Sequence, residues 1–362
     1  AYGIPEAAFA IECFMDDIAA EIHMDPLEFR RKNLIRGYYE DAYLKPIAAN
    51  SNGIFQCLEK GAEYIRWEEK RKEYAAQTGN IRRGVGVALF CYKTGVWPIS
   101  LEIAGARMSL NQDGSVQLQL GATEIGQGAD TVFTQMAAET LHLEMKDIHI
   151  VTVQDTDVTP FDTGAYASRQ SFITGTAVKQ CAEQLRDKIL AYAKTLLPKE
   201  ETRELSLDHG WILAGDEEAI SLGALAQECY YSLTNSSVIT AEVSTQVKKN
   251  TIATGCCFAE VEVDLKLGQI KILHIINVHD SGRLLNPQLA EMQVHGGMSM
   301  GMGYGLSEQL ILDEKTGRPL NGNLLDYKLM TALDTPDMEA EFVELDDPVG
   351  PYGNKALGEP PA

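Results

Sequence analysis

The sequence predicts an α+β fold in which antiparallel hairpins and mixed sheets are combined with helices. The first hairpin covers residues 106–120, where apolar and polar side chains alternate on both sides of Asp113-Gly114. A second hairpin is expected from strands 256–265 and 269–278 around a Leu-Gly turn. Because strands and helices do not alternate as βαβ units, a doubly wound parallel sheet is not expected.

The remaining elements follow from the spacing of apolar residues. Side chains three and four positions apart predict a helix over residues 6–23, and Asp25-Pro26 is typical of the start of a second helix. The other expected elements are a charged, largely solvated helix over 56–77, strands at 83–92 and 147–153, a helix over 129–142, a polar loop over 154–168, and a helix after that loop with the apolar face Ala177, Val178, Cys181, Leu185 and Ile189. Residues 287–304, rich in Gly and Met, predict a helix or loop that another group approaches closely.

A change in pattern near residue 80 predicts the domain organisation. Residues 1–80 form a helical lead-in segment, and residues 81–362 form the mixed body. Within that body, two α+β subdomains are expected at about 81–235 and 236–362. The chain opens with AYGIPEA and closes with GEPPA, without polar tails, which predicts a fragment or one piece of a split subunit.

Charge and cysteine usage exclude several classes of protein. The chain has 52 acidic and 31 basic residues and a formal net charge of −21, which argues against binding to nucleic acid or an anionic membrane. Its seven cysteines show no C-x-x-C spacing, so neither a zinc site nor an iron–sulfur cluster is expected in this chain. No secretory leader and no apolar run of 18 residues are found, which predicts a cytoplasmic location.

Common catalytic motifs are absent or fail a simple test. Gly297 to Gly301 match the G-x-S-x-G nucleophile elbow of acyl hydrolases, whose catalytic histidine follows the serine in the chain. The last histidine is His295, so Ser299 has no downstream base. Neither a P-loop nor a Rossmann fingerprint is present.

Three Gly-containing turns, at 121–128, 164–170 and 293–305, lie where strands are expected to meet helices. Glycine lets the backbone approach a ligand closely, and the N–H groups at a helix start favour anions. Gln127, between Gly126 and Gly128, offers both a donor and an acceptor. Together the three turns favour a large phosphorylated cofactor.

The C-terminal Gly358-Glu359-Pro360-Pro361 places a carboxylate before two prolines. Pro360 biases Glu359 towards extended geometry, and neither proline offers an N–H group. Burial would raise the pKa of such a carboxyl group and suit it to general-base catalysis. A solvent-exposed turn is the alternative.

Taken together, the motifs identify a family. The segments GATEIGQG (121–128), DTGAYASRQSFITGTAV (162–178), HDSGRLLNPQLAEMQVHGGMSMGMGYGLSE (279–308) and NKALGEPP (354–361) resemble, in order and spacing, the molybdenum-binding subunit of the xanthine dehydrogenase family of molybdenum hydroxylases. The opening residues and Asp-Pro-Leu-Glu-Phe-Arg at 25–30 agree with this resemblance, which covers nearly the whole chain. The chain then corresponds to the C-terminal portion of that subunit, and residues 1–80 complete an upstream molybdopterin domain.

The resemblance also implies site residues. Glu359 is implied to be the catalytic base, and Tyr2 stands where the family has a substrate-stacking aromatic. The cofactor-binding residues that the resemblance implies are Gly126, Gln127, Gly128, Ala165, Tyr166, Ala167, Ser168, Arg169, Gln170, Gln293 and Gly358, with Ser168, Arg169 and Gln170 facing pterin and phosphate. No metal ligand is expected from the protein, because the dithiolene of the cofactor holds molybdenum.

The implied activity is oxidative hydroxylation of an N-heterocycle, with xanthine or hypoxanthine favoured and water as the oxygen source. The cofactor is molybdopterin with molybdenum, its cytosine dinucleotide form left open, and [2Fe-2S] clusters and FAD lie on partner chains. Partners are the upstream half, an iron–sulfur subunit and an FAD subunit in a dimer of hetero-oligomers. The alternatives are a nicotinate-type heterocycle, an aldehyde or an aromatic acyl-thioester as substrate, or a non-catalytic scaffold without cofactor.

Overall fold

The computed structural model describes residues 3–35, 39–40, 46–47, 51–198 and 204–362. In chain order its helices are α1 (Ile4–Glu21), α2 (Pro26–Asn33), α3 (Ile54–Ile65), α4 (Trp67–Tyr74), α5 (Ala129–Leu141), α6 (Gln170–Leu196), α7 (Leu222–Tyr231) and α8 (Pro287–Leu306), with a 3-10 helix at Met145–Asp147. Its strands are β1 (Tyr39–Glu40), β2 (Pro46–Ile47), β3 (Ile81–Lys93), β4 (Ile103–Leu110), β5 (Val116–Leu120), β6 (Ile148–Ile150), β7 (Leu205–Asp208), β8 (Trp211–Ala214), β9 (Glu217–Ser221), β10 (Thr240–Gln246), β11 (Ile252–Asp264), β12 (Gln269–Asp280) and β13 (Asp337–Phe342).

The chain divides into two compact units. Unit 1 comprises Ala1–Lys93, Thr251–Pro348 and Gly353–Ala362, and unit 2 comprises Thr94–Asn250 and Val349–Tyr352. Each unit combines helices with a mixed four-stranded sheet, so the predicted α+β class is confirmed. In the described part of the chain, none of the helices has the length and apolar character to cross a bilayer.

The sheet of unit 1 has the strand order β13-β12-β11-β3. The predicted hairpin of β11 and β12 is present and longer than expected, with Gly268 at φ 67° in its turn. Strand β13 lies parallel to β12, and β3 pairs with β11 along its whole length, Ile252 opposite Lys93 and Asp264 opposite Ile81.

One face of this sheet is covered by α3. Leu58, Phe258 and Val278 belong to one buried apolar cluster of unit 1. A Cβ on Gly61 would lie 2.5 Å from a ring carbon of Phe258, so glycine permits this close approach of helix to sheet. The expected single, largely solvated helix over 56–77 is therefore wrong on two points. It is interrupted at Arg66, which adopts the left-handed conformation at φ 59°, and its first half is a core helix.

The sheet of unit 2 has the order β10-β4-β5-β6, with β5 and β6 parallel. The β4–β5 hairpin turns as predicted at Asp113-Gly114, where Gly114 has φ 89° and the Asp113 carboxylate accepts from Ser115 N at 2.9 Å. The predicted apolar face of α6 is confirmed, because all five of its residues are buried. The region 197–235, for which no elements were predicted, carries the β7–β9 meander and α7 in its described part.

The compact units do not follow the expected domain boundaries at about 80 and 235. Helix α3 lies before residue 80 but packs on β11 and β12. Strand β3 lies just after residue 80 and completes the sheet of unit 1, whereas β10 completes the sheet of unit 2. Pairing between strands far apart in sequence sets the limits of these units. The change in sequence pattern near residue 80 carries no information about that pairing.

Candidate functional site

The turn 121–128 is organised by a residue of its own sequence. The Glu124 carboxylate accepts hydrogen bonds from the backbone N–H groups of Gly126 at 2.6 Å and Gly128 at 3.1 Å through Oε1, and of Asp130 at 3.1 Å through Oε2. These donors lie at the start of α5, the type of position at which an anion was expected. In unit 2, then, Glu124 itself takes the place of that anion at α5.

The electrostatics of Glu124 agree with this arrangement. Burial tends to raise the pKa of its carboxyl group, but the backbone N–H groups of Asp130, Gly128 and Gly126 outweigh burial and leave the pKa below its usual value. Glu124 is therefore a fixed negative charge that holds the turn carrying Gln127. Glu124 lies within the GATEIGQG motif, and the sequence predicts no role for it.

Gln127 and Gln170 form a side-chain amide pair. Gln127 Nε2 donates to Gln170 Oε1 at 2.7 Å and to Thr123 O at 3.1 Å, while Gln127 Oε1 accepts from Ile125 N at 2.7 Å. Two residues that the resemblance placed at the cofactor, 43 positions apart, thus meet within unit 2. Gln170 Nε2 also donates to Thr123 O at 3.3 Å. The pair can therefore offer a heterocycle the second N–H of Gln170 and the remaining lone pairs of the two amide oxygens.

The loop before α6 has an unusual backbone. Ala167 and Ser168 both have φ 48°, in the left-handed region that non-glycine residues seldom adopt. The carbonyl of Ala167 accepts from Gly95 N at 2.9 Å. Tyr166 Oη donates to Thr163 Oγ1 at 2.9 Å, whereas Ala165 is exposed. Strained residues held by their surroundings are common at ligand sites.

Arg169 holds this loop from inside. Its side chain is 0% exposed, and its guanidinium donates to Glu102 and Asp162, each at 2.6 Å. It also donates to the carbonyls of Gly164 at 3.0 Å and Ile103 at 2.8 Å. The family resemblance implies that Arg169, with Ser168 and Gln170, faces pterin and phosphate. In the structure its guanidinium is turned into the protein, towards two carboxylates and two backbone carbonyls.

Glu102 and Asp162 are further functional candidates, which are not among the site residues that the resemblance implies. Glu102 is 1% exposed and also accepts from Val96 N. A Cβ on Gly95 would lie 2.7 Å from Glu102 Oε1, so the glycine is needed there. Asp162 accepts further hydrogen bonds from Gly164 N at 2.9 Å and Thr174 Oγ1 at 2.7 Å. A sequence signal existed only for Asp162, which precedes the Gly-containing turn.

Unit 2 passes a simple test for binding a phosphorylated cofactor. Helix α6 begins without a side-chain capping bond from Arg169 and has no acidic residue in its first turn. The start of α5 differs, because the carboxylate of Glu124, which precedes that helix, accepts from its N-terminal N–H groups. In α6, Phe172 N and Ile173 N already donate to Arg169 O, at 3.1 Å and 2.7 Å, while the dipole at this N-terminus favours an anion. The loop and the amide pair adjoin that end, so these residues fit the group that the resemblance implies.

In unit 1, Glu359 lies in a tight turn. Ala362 N donates to Glu359 O at 3.2 Å across Pro360-Pro361, and Glu359 is half-buried while Gly358 is exposed. The Tyr92 hydroxyl donates to Glu359 Oε2. The sequence left open a buried carboxylate or a solvent-exposed turn. The structure has Glu359 half-buried, in a turn that is packed against the sheet.

The segment after Glu359 lies between the sheet and α8. Asn277 Nδ2, on β12, donates to Pro361 O at 3.3 Å. A Cβ on Gly297 would lie 2.4 Å from Pro361 Cβ, so the helix approaches the tail as closely as glycine allows. The expected close approach to the Gly-rich element is therefore made by the chain's own C-terminal residues. Gln293 is half-buried one helical turn before Gly297, on the same face of α8.

The structure separates the predicted residues into two groups. Gly126, Gln127, Gly128 and residues 165–170 belong to unit 2, whereas Gln293, Gly358 and Glu359 belong to unit 1. Tyr2 lies outside the described residues. Ser299 is in the middle of α8 rather than on a strand-to-helix turn, which agrees with rejection of the hydrolase motif. Among the described residues, no cluster of three or more His, Cys, Asp and Glu is placed to hold a metal ion.

His279 and Asp280 end β12 and are both 0% exposed. Asp280 accepts from Lys355 Nζ at 2.8 Å and from Gly53 N at 2.7 Å, which fixes the start of the NKALGEPP segment. His279 lies against the rings of Phe90 and Phe342, and burial lowers its pKa to about 3. Within the described residues neither ring nitrogen has a hydrogen-bond partner.

Comparison with known families matches two models, both described as molybdopterin cofactor-binding domains. The second-domain model covers residues 60–336, and the first-domain model covers residues 1–34. The match at 60–336 contains most of the loops described above.

Similar proteins include a xanthine dehydrogenase molybdenum-binding subunit of Escherichia coli O157:H7, 46% identical over 99% of this chain and 48% of that protein. A probable hypoxanthine oxidase of Escherichia coli K12 is 32% identical over 99% of this chain and 38% of that protein. Among solved structures, the reconstituted CO dehydrogenase from Oligotropha carboxidovorans superimposes with a TM-score of 0.86 at 25% identity, over 99% of this chain and 46% of that one. The chain thus spans about half the length of the curated relative at 46% identity. It spans 38% of the length of the relative at 32% identity.

Proposed function

The chain belongs to the family of molybdopterin cofactor-binding domains, and we propose that it forms the C-terminal portion of the molybdenum-binding subunit of a hydroxylase acting on an N-heterocycle. Xanthine or hypoxanthine is the proposed substrate, because the relatives at 46% and 32% identity carry those names. The observation that carries the proposal is the turn that holds Glu359 against Tyr92 in a packed segment.

The bound cofactor would supply the redox chemistry, with molybdenum held by its dithiolene sulfurs. In unit 2, Gln127 and Gln170 would bind polar edges of the pterin, and the start of α6 would bind its phosphate. In unit 1, Gln293 would contribute a further amide. Arg169, Glu102 and Asp162 would keep the loop 165–170 in its strained conformation. Mass analysis of the released cofactor would determine whether the pterin carries a cytosine nucleotide.

The proposed role of Glu359 is to accept the proton from the water that supplies oxygen to the substrate. Its backbone is fixed by the turn to Ala362, and its carboxylate is oriented by the hydroxyl of Tyr92. A base held in one place lowers the cost of reaching the reactive geometry. General-base catalysis of this kind contributes about 10²–10⁴-fold to rate.

We propose partner chains as well. Residues 1–34 match the first molybdopterin domain model. On α1, Phe9 is 72% and Phe14 is 60% exposed, which suits burial against the upstream half of the subunit. Iron–sulfur and FAD subunits would complete the electron path in a cytoplasmic dimer of hetero-oligomers. Analytical ultracentrifugation and mass spectrometry of the purified assembly would identify these chains.

The test uses the complete enzyme that contains this chain. Elemental analysis should find molybdenum, and Glu359→Gln should abolish xanthine turnover while leaving the molybdenum content intact. Glu314→Gln, at an exposed position of the same unit, is the matched control and should keep full turnover. Normal turnover by Glu359→Gln would refute the assigned base. Absence of molybdenum from the unmodified enzyme would favour the scaffold alternative, and activity on aldehydes, nicotinate-type heterocycles or acyl-thioesters alone would revise the substrate.

A further inference from the structure

A tyrosine 267 positions away in sequence is bonded to the proposed base. Tyr92 lies near the end of β3, is 6% exposed, and its hydroxyl donates to Glu359 Oε2. A buried phenol normally finds one good acceptor, and a hydrogen bond to an ionised carboxylate is among the stronger kinds. No sequence motif connects the two residues.

The register of the sheet fixes where the phenol points. Tyr92 is directly opposite Ala253 of β11, and both belong to a small apolar cluster with Ala356. Ala356 precedes Glu359 by three residues, so the same contact that fixes the ring also fixes the approach to the turn.

The other end of the turn is held by a different pair of contacts. Asn277 donates to Pro361 O at 3.3 Å, and Gly297 of α8 admits the ring of Pro361. The backbone on both sides of Glu359 is therefore restrained, and the remaining freedom is rotation of its side chain. The hydroxyl of Tyr92 removes that freedom.

We propose that Tyr92 is a positioning residue for Glu359, holding its carboxylate in the orientation in which it accepts a proton. This inference rests on the proposed function of Glu359 as the base. Tyr92 itself transfers no proton in this proposal.

The experiment compares Tyr92→Phe with Tyr74→Phe in the complete enzyme. Tyr74 is a matched control, because its hydroxyl also donates to a glutamate of the same unit, Glu260 on β11. With xanthine as substrate, we expect Tyr92→Phe to lower kcat by about tenfold or more, with KM and molybdenum content unchanged. Tyr74→Phe should leave kcat, KM and molybdenum content unchanged.

A second readout does not depend on the loaded enzyme. In cofactor-free protein, thermal unfolding of Tyr92→Phe, Glu359→Gln and the double variant forms a double-mutant cycle. We expect the double variant to lose less Tm than the sum of the single losses. Additive losses of Tm would overturn the role of Tyr92 and leave the proposed function standing. The same holds if Tyr92→Phe keeps an unchanged kcat while Glu359→Gln is inactive. An active Glu359→Gln would overturn both.

Discussion

Gly297 and Pro361 are packed so closely that a side chain on Gly297 would overlap the proline. A Cβ there would lie 2.4 Å from Pro361 Cβ and 2.7 Å from its carbonyl carbon. The glycine of α8 thus sets how the C-terminal segment lies on unit 1, and with it the turn that holds Glu359.

This contact gives the first prediction. Gly297→Ala should displace residues 359–362 and lower activity of the complete enzyme by about tenfold or more, since small displacements of a reacting group are costly. Gly296→Ala is the control, because a Cβ at Gly296 meets nothing within 4 Å. Helix propensity favours both substitutions equally, by roughly 1 kcal/mol. Equal activity of the two variants would show that the contact does not set the turn.

The second prediction concerns the buried cation of unit 2. Arg169→Met should destabilise the protein by about 3–5 kcal/mol, because it leaves Glu102 and Asp162 buried without a compensating charge. Urea unfolding measures the loss. Arg107→Met removes a surface ion pair with Glu242 in the same unit and should cost about 1 kcal/mol or less. A similar cost for both substitutions would contradict the central role given to Arg169.

Glu124 leads to a prediction about pH. Because its folded pKa is below its usual value, its ionised form stabilises the folded state above the unfolded pKa, and this contribution is lost as pH falls through the folded pKa. Glu124→Gln should therefore be less stable than the unmodified chain at pH 7, by about 1 kcal/mol. The difference should shrink as pH is lowered through the acidic range.

The control for this prediction lies at the other end of the same helix. Glu139 is exposed near the C-terminus of α5, where a negative charge is unfavourable, so Glu139→Gln should not lower stability at pH 7. Thermal unfolding between pH 3 and pH 7 provides the comparison. A stability difference for Glu124→Gln that does not change with pH would show that the charge is not responsible.

His279 leads to the fourth prediction. Burial holds its folded pKa at about 3, so the unfolded chain binds a proton between that value and about 6.5 that the folded chain does not. Stability should therefore fall as pH decreases across this window, with a slope approaching about 1.4 kcal/mol per pH unit from this residue. His279→Leu should remove that slope without loss of stability at pH 7, since neither ring nitrogen has a partner among the described residues. His149→Gln, at an exposed position, should leave it unchanged.

Local pattern was sufficient for much of the fold. The two hairpins, the starts of α2 and α5 and the buried face of α6 were all predicted, because turn residues and apolar spacing report on neighbours in sequence. Helix α3 was expected to be largely solvated, because residues 56–77 are rich in charged side chains, but it carries a stripe of buried residues. That stripe becomes evident only when β11 and β12, some 200 residues later, supply the surface it covers.

The sequence by itself determined the α+β class, the family resemblance and the residues that resemblance implies, since these depend on residue type, order and spacing. Tertiary structure alone decided what those residues touch: Glu124 rather than a ligand at the start of α5, Glu102 and Asp162 around Arg169, and Tyr92 on Glu359. The reason is physical. A hydrogen bond or ion pair depends on distances of about 3 Å between groups that strand register and helix packing bring together, and sequence spacing carries no measure of those distances.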